Sequence, residues 1–419
     1  MKIVLITDIF FPYLGGITHT LVNLYNFIQE KGEEIYIFNP TYKDKNIFNV
    51  MNNRKDTIRN LLKIFNKKKF YFYLIHSFWK ILRDKKISQF HRLNIISYLI
   101  IKPKALIETI DNIRRLSQYL TNLDFDLIVS SNSGNILILA VFLGTIFNKK
   151  VVTLAHGNDF LAKKAIHLKS SYFKSVEKII VNSTKMRQFI RKIYNLNEEK
   201  LIVINRAISL KDSEIQNSKL EIRKELNLSD DDFIILSVGR QNFRKNFDLV
   251  IRSIERILKI RPSIKIKYYL IGSGLDTQNL KDLTRKLNLE DKVFFLGNCN
   301  NELRNKFYKL SDLFIMPSIM SSNTIEGFGI VFLEANFYNL PVIGTRSGGI
   351  PEAIIEGKTG YLIKPEDLED LIDKIMILYD NEDLRLEMGQ AGHDRVINEF
   401  LWENIIEIYL KTFKKVLLS

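Results

Sequence analysis

The chain has 419 residues, 46% of them apolar and 26% charged, with a single cysteine and a formal net charge of +15. That length exceeds one ordinary core and fits roughly two to three domains, while a lone Cys299 excludes an internal disulfide and a cysteine zinc cluster. The charge is local: residues 43–115 hold 18 Lys or Arg against 5 Asp or Glu, a net of +13, which suits an anionic membrane surface, an acidic substrate, nucleic acid or a plain solvated face.

The first predicted element is an apolar strand at residues 3–7. It is too short for a signal peptide and has no small-residue cleavage site, so a cytoplasmic protein is expected. A loop running from Asp8 to Gly16 follows, then a helix over 17–31 and a strand over 34–38. This is a β-α-β unit and implies a parallel sheet. From 43 to 120 helical periodicity dominates, with Lys, Arg, Tyr and Phe interleaved, and two to four inserted helices are expected. Strands are predicted at 126–131, 151–156, 178–182 and 201–204. The apolar stretch 136–147 is well short of a membrane span and reads as a buried helix. The polar stretch 209–232 is the candidate linker. A second β-α series has strands at 233–238, 267–271, 293–296, 313–316, 341–343 and 360–363, and a helix over 401–418 closes the chain with no strand after it. The fold class is α/β, with two Rossmann-like halves in tandem. Ligands bind at the carboxyl ends of such strands, and two such edges facing each other would make a cleft.

Four constellations fall at those edges. Gly15 and Gly16 sit between the first strand and its helix, where glycine permits close backbone approach and the helix N-terminus suits phosphate; a simple tight turn explains them equally well. His156 heads His-Gly-Asn-Asp after a buried strand, where a structural histidine is the ordinary alternative. Gly239 and Arg240 end another strand, and the pair Arg244-Lys245 comes just before a helix. Three cations there suit a diphosphate, against the alternative of a basic loop on a basic protein. Glu326-Gly327-Phe328-Gly329-Ile330 leads to Glu334, and Gly348-Gly349-Ile350-Pro351-Glu352 follows the next strand. Carboxylates accept hydrogen bonds from sugar hydroxyls, so phosphate cations, sugar carboxylates and helix N-termini together suggest a nucleoside diphosphate sugar. Asp124-Phe125-Asp126 has the form of a metal motif but precedes a strand rather than ending one. Asp230, Asp231 and Asp232 lie in the linker and are expected to be solvated.

The series Gly-Arg-x4-Lys, Glu-x7-Glu and Gly-Gly-x-Pro-Glu resembles the large retaining glycosyltransferase family with the GT-B fold, family 4 or group 1. The stretch from Met316 to Glu334 resembles its phosphatidylinositol mannosyltransferase branch. The resemblance implies an N-terminal acceptor-side domain over 1–208, a nucleotide-sugar domain over 209–399, and a final helix over 400–419 that crosses back to the first domain. It further implies that Arg240 and Lys245 hold the donor diphosphate, that Glu326 and the backbone of Gly327, Phe328 and Gly329 hold the donor sugar, and that Glu334 takes the ribose. By the same resemblance Gly16 approaches the phosphates and His156 lies near the reacting carbon. The implied activity is a metal-independent transfer of a hexose from GDP-mannose or a UDP-sugar to a glycan or lipid-linked acceptor in envelope polysaccharide assembly, without a bound cofactor. The enzyme would sit peripherally on the inner face of the plasma membrane through the basic insert. A nucleic-acid-binding protein and a sugar-nucleotide epimerase of the same fold are the competing readings.

Overall fold

The computed structural model describes residues 1–8, 16–39, 112, 116–117, 119–157, 172–209, 215, 217–320 and 325–419. Nearly all of the basic stretch 43–120 lies outside the described residues, as do Gly15, Asn158 and Asp159. The chain divides into two units. The first comprises Met1–Asn182, Arg187–Ile204 and Ile406–Ser419, and the second Ser183–Met186 and Asn205–Ile405.

The first unit carries a parallel sheet of six strands: β1 (Lys2–Ile6), β2 (Glu34–Phe38), β3 (Leu127–Ser130), β4 (Lys150–Ala155), β5 (Lys178–Val181) and β6 (Leu201–Val203). Their order is β2-β1-β3-β4-β5-β6. Ile3, Val4, Leu5 and Ile6 are all buried, as are Leu127, Ile128 and Val129. Strands covered on both faces read as continuous apolar runs rather than alternating ones, which is why they stand out in the sequence. The helix Asn135–Phe147 is apolar on nearly every side and largely buried. At the starting edge of the sheet, Asp126 accepts a hydrogen bond from the Lys2 backbone N–H at 2.7 Å, and Asp124 lies 3.9 Å from the Lys2 ammonium. Asp126 thus fastens the start of a strand, while Asp124 stays exposed. Part of the last helix, Trp402–Leu418, belongs to this unit from Ile406 onward. It is held there by Lys150 Nζ donating to the Val416 carbonyl at 2.9 Å and by a Lys414–Glu33 ion pair at 3.0 Å.

The second unit repeats the plan with β7 (Phe233–Val238), β8 (Ile266–Ile271), β9 (Val293–Gly297), β10 (Leu313–Ile315), β11 (Val342–Thr345) and β12 (Gly360–Ile363). All pair in parallel, in the order β12-β11-β10-β7-β8-β9. Helices cover the sheet. In Phe247–Ile260, for example, Phe247, Val250, Ile251, Ile254 and Ile257 are buried at the three- and four-residue spacing of one helical face. Residues 217–232 do not behave as a free linker. Ser218 and Glu221 close a capping box on the helix Lys219–Glu225. From that helix Arg223, 3% exposed, donates to the carbonyls of Leu310, Asp230 and Asp232 and pairs with Asp312 at 2.7 Å. The expectation that the aspartate triplet is solvated fails at Asp232. Its side chain is 10% exposed and pairs with Lys267 at 2.7 Å, because the next residue already begins a central strand.

Candidate functional site

In an open parallel sheet the strand order reverses at one point, and the loops leaving the two strands there diverge and open a crevice. In the second unit the reversal lies between β7 and β10. The loop after β7 runs through Gly239, the exposed Arg240 and the buried Gln241 into a short 3-10 turn, Phe243–Lys245. Asn246 then takes a left-handed conformation (φ 55°), and the helix Phe247–Ile260 begins. The loop is fixed from both sides. Gly239 N–H donates to the Ile271 carbonyl and Gln241 N–H to the Ser273 carbonyl, and a Cβ on Gly272 would sit 2.1 Å from the Gly239 carbonyl oxygen. From the other side, Ile319 N–H donates to the Arg244 carbonyl at 2.8 Å.

This arrangement brings together side chains that are 81 and 82 residues apart. One oxygen of Glu326, Oε2, accepts from Arg244 Nη1 at 2.6 Å and from Lys245 Nζ at 2.7 Å. Lys245 Nζ also lies 3.0 Å from the thioether sulfur of Met316. The three charged side chains are 18%, 11% and 16% exposed. Burial alone would push the Glu326 carboxyl up, but the two cations outweigh it and hold the group down to about 2. Burial pulls the Lys245 ammonium below its ordinary value; Glu326 partly restores it, and the neighbouring Arg244 charge lowers it again. Two cations against one carboxylate leave the cluster with a net positive charge.

The remaining site residues of this unit follow β10 and β11 in the chain. Gly348 and Gly349 run directly beneath the Glu326 loop, with Gly349 N–H donating to the Glu326 carbonyl at 2.9 Å. A Cβ on Gly349 would meet the Gly327 carbonyl oxygen at 2.1 Å. The Phe328 ring is buried 5.7 Å from the Phe400 ring, so only the backbone of Gly327, Phe328 and Gly329 is available to a ligand. Gly329 is left-handed (φ 87°) and caps the helix Ile330–Phe337, whose first residue is Ile330. Glu334 lies one turn into this helix, half-buried, and accepts a hydrogen bond from the buried Tyr308 hydroxyl at 2.8 Å. Burial and the Glu334 charge raise Tyr308 well above its ordinary value, so it remains a donor.

In the first unit the strand order reverses between β1 and β3. There the Asn132 amide donates to Asp8 at 2.6 Å, and its carbonyl oxygen accepts from Gly134 N–H at 3.0 Å. His156 follows β4, half-buried, and Gly157 after it is at φ 131°. Gly16 opens the helix Gly16–Glu30. Sequence reasoning passed over Asp8 and Asn132. A strand ending in Asp and another followed by Ser-Asn-Ser were the available signals. It also used Arg244 only as part of a basic run, and the adjacent Lys245 was the hint that two cations converge.

Residues 14–212 match the family described as Glycosyltransferase Family 4, and residues 218–395 match Glycosyl transferases group 1. The chain is 29% identical over 283 residues to N-acetyl-alpha-D-glucosaminyl L-malate synthase of Bacillus anthracis, covering 64% of this chain and 68% of that one. It is 30% identical over 187 residues to a GDP-mannose-dependent monoacylated alpha-(1-6)-phosphatidylinositol monomannoside mannosyltransferase of Corynebacterium glutamicum, covering 44% of this chain and 48% of that one. In fold it is similar to sucrose-phosphate synthase from Thermosynechococcus elongatus, with a TM-score of 0.73 at 19% identity, over 99% of this chain and 98% of that one.

Proposed function

Because the chain belongs to the group 1 glycosyltransferases, we propose that it moves a hexose from a nucleoside diphosphate sugar to a glycan or lipid-linked acceptor, with retention and without a divalent metal. The observation that carries this reading is the cationic Arg244–Lys245–Glu326 cluster at the strand-order reversal of the second unit. In the reaction the bond from the anomeric carbon to the diphosphate oxygen breaks, and its electron pair stays on phosphate. Lys245 and Arg240 stabilise that charge, in a partly dry site where fixed cations act more strongly than in water. The acceptor oxygen attacks the oxocarbenium-like carbon from the face the phosphate leaves, and the departing phosphate takes the acceptor's proton. Glu326 accepts from hydroxyls of the donor sugar, Glu334 from the ribose, and the helix beginning at Ile330 presents its N-terminal N–H groups.

The donor is GDP-mannose or a UDP-sugar. The C. glutamicum relative is by its name GDP-mannose-dependent, which favours the former. The acceptor belongs to envelope polysaccharide assembly, and the basic stretch 43–115 holds the enzyme at an anionic membrane face. Among the described residues no helix is long and apolar enough to cross a membrane.

The test is release of nucleoside diphosphate from GDP-mannose, UDP-glucose and UDP-N-acetylglucosamine in excess chelator. Slow release by the wild type is expected with one of them, and Lys245→Ala should lower it ~10²-fold, the usual scale for losing one charge-stabilising donor. Loss of all release in chelator, with recovery on adding manganese or magnesium, would overturn the metal-free mechanism. Unchanged release by Lys245→Ala would overturn the site.

A further inference from the structure

The Glu326 carboxylate is held asymmetrically. Both cations converge on Oε2, and among the described residues no hydrogen bond reaches Oε1. Arg244 is itself fixed at both ends. Its carbonyl accepts from Ile319 N–H at 2.8 Å, and its side chain, 18% exposed, reaches Glu326 across the crevice between the loops after β7 and β10. With Arg244 and Lys245 both on Oε2, Oε1 is the carboxylate oxygen left for a ligand among the described residues.

We propose that Arg244 is the positioning residue of the donor site: it grips Glu326 through Oε2 so that Oε1 faces the donor sugar, and it adds a second positive charge so that the cluster stays net cationic towards the diphosphate. This rests on the donor-site reading above. The charge count explains why one cation is insufficient. Lys245 and Glu326 alone would form a neutral pair, and an ammonium neutralised by its neighbour attracts a diphosphate weakly. Arg244 adds the second positive charge. Arginine fits this role better than lysine because it stays charged when partly buried.

The experiment follows release of nucleoside diphosphate from whichever of GDP-mannose, UDP-glucose and UDP-N-acetylglucosamine the wild type hydrolyses fastest, from acid to neutral pH. Arg244→Gln should lower kcat about tenfold or more, the scale of one charge-assisted hydrogen bond. It should also move the acid limb of kcat/KM to higher pH, since a carboxylate that loses a cation protonates more readily. Arg244→Lys should recover part of the rate and return the limb towards its wild-type position. A merely structural side chain would change the melting temperature and leave the limb in place. If Arg244→Gln melts below the assay temperature, Arg244→Met, which keeps a long stem, takes its place. Wild-type kcat with an unmoved acid limb in the neutral variant overturns the positioning role alone. A wild type that releases no diphosphate and is not stabilised by GDP or UDP overturns the donor site and this role with it.

Discussion

Glu326 keeps its charge in a setting that would ordinarily remove it, and this has a consequence for stability as well as for ligand binding. Its carboxyl is lowered from 4.5 to about 2, burial opposing and Lys245 and Arg244 prevailing. A group whose folded value lies below its unfolded value stabilises the fold above the unfolded value and loses that contribution as pH falls through the folded one. The window is therefore about 4.5 down to about 2. Glu326→Gln removes the charge at every pH and leaves Lys245 buried beside a neutral amide. Its melting temperature should lie below that of the wild type by a constant margin above pH 4.5, and the margin should shrink as pH drops towards 2. A margin that stays level or widens over that range would show that the ion cluster contributes no pH-dependent stability. At this scale the sequence supplied the residue types but not their partners. Lys245 and Glu326 could each be picked out as strand-edge residues, whereas their contact spans 81 residues and depends on β7 and β10 being neighbours.

Among the elements, strands were the most legible. Glu34–Phe38, Phe233–Val238 and Gly360–Ile363 have the limits that the apolar runs suggest, and the other predicted strands differ by a residue or two at one or both ends. A strand buried on both faces has little choice of composition, so it announces itself. The stretch ahead of β7 was harder. Ser, Asp and Lys there read as solvated, yet Arg223 and Asp232 make buried polar contacts that composition does not reveal. Loops were legible as glycine positions but not as contacts. Gly348 and Gly349 read as a helix-opening turn of the kind that meets a ligand, and in the structure they also form the floor on which the Glu326–Gly327 backbone rests. Gly349 has an ordinary φ of −89°, so its requirement is space rather than conformation. Gly349→Ala would place a methyl 2.1 Å from the Gly327 carbonyl oxygen and must displace the loop that carries Glu326. The expected outcome is a loss of donor turnover of about tenfold or more, because small displacements of positioned groups are costly to rate, while the β11 core beside it stays folded. Normal turnover in a folded Gly349→Ala protein would mean that the loop tolerates the shift and that its seating on the glycines is unimportant.

For the whole molecule the uneven charge is the feature that the described residues leave outside their reach. Of the net +15, +13 falls within residues 43–115, which also contain Tyr71, Phe72, Tyr73, Phe78, Trp79, Phe90 and Tyr98. Cations near an anionic bilayer gain about 1 kcal/mol each, and aromatic rings favour the interface because they pair an apolar body with a polar edge. The combination suits an enzyme whose acceptor is anchored in a membrane better than one whose acceptor diffuses freely. Nucleic acid would also attract the charge, so the prediction separates the two by lipid dependence. The protein should pellet with vesicles containing anionic lipid at low salt, pellet less as salt is raised through the range where the Debye length shortens from about 30 to about 8 Å, and ignore vesicles of neutral lipid alone. Replacing Lys67, Lys68 and Lys69 with glutamate reverses three charges in the densest part of the run. It should weaken pelleting while leaving acceptor-free diphosphate release at the wild-type rate, since none of the three lysines is among the donor-site residues. A wild type that stays in solution with anionic vesicles at low salt would make the basic run a solvated face and shift the acceptor towards a soluble molecule. If pelleting and diphosphate release fell together in the triple variant, the run would be acting on the donor reaction itself rather than on where the enzyme sits.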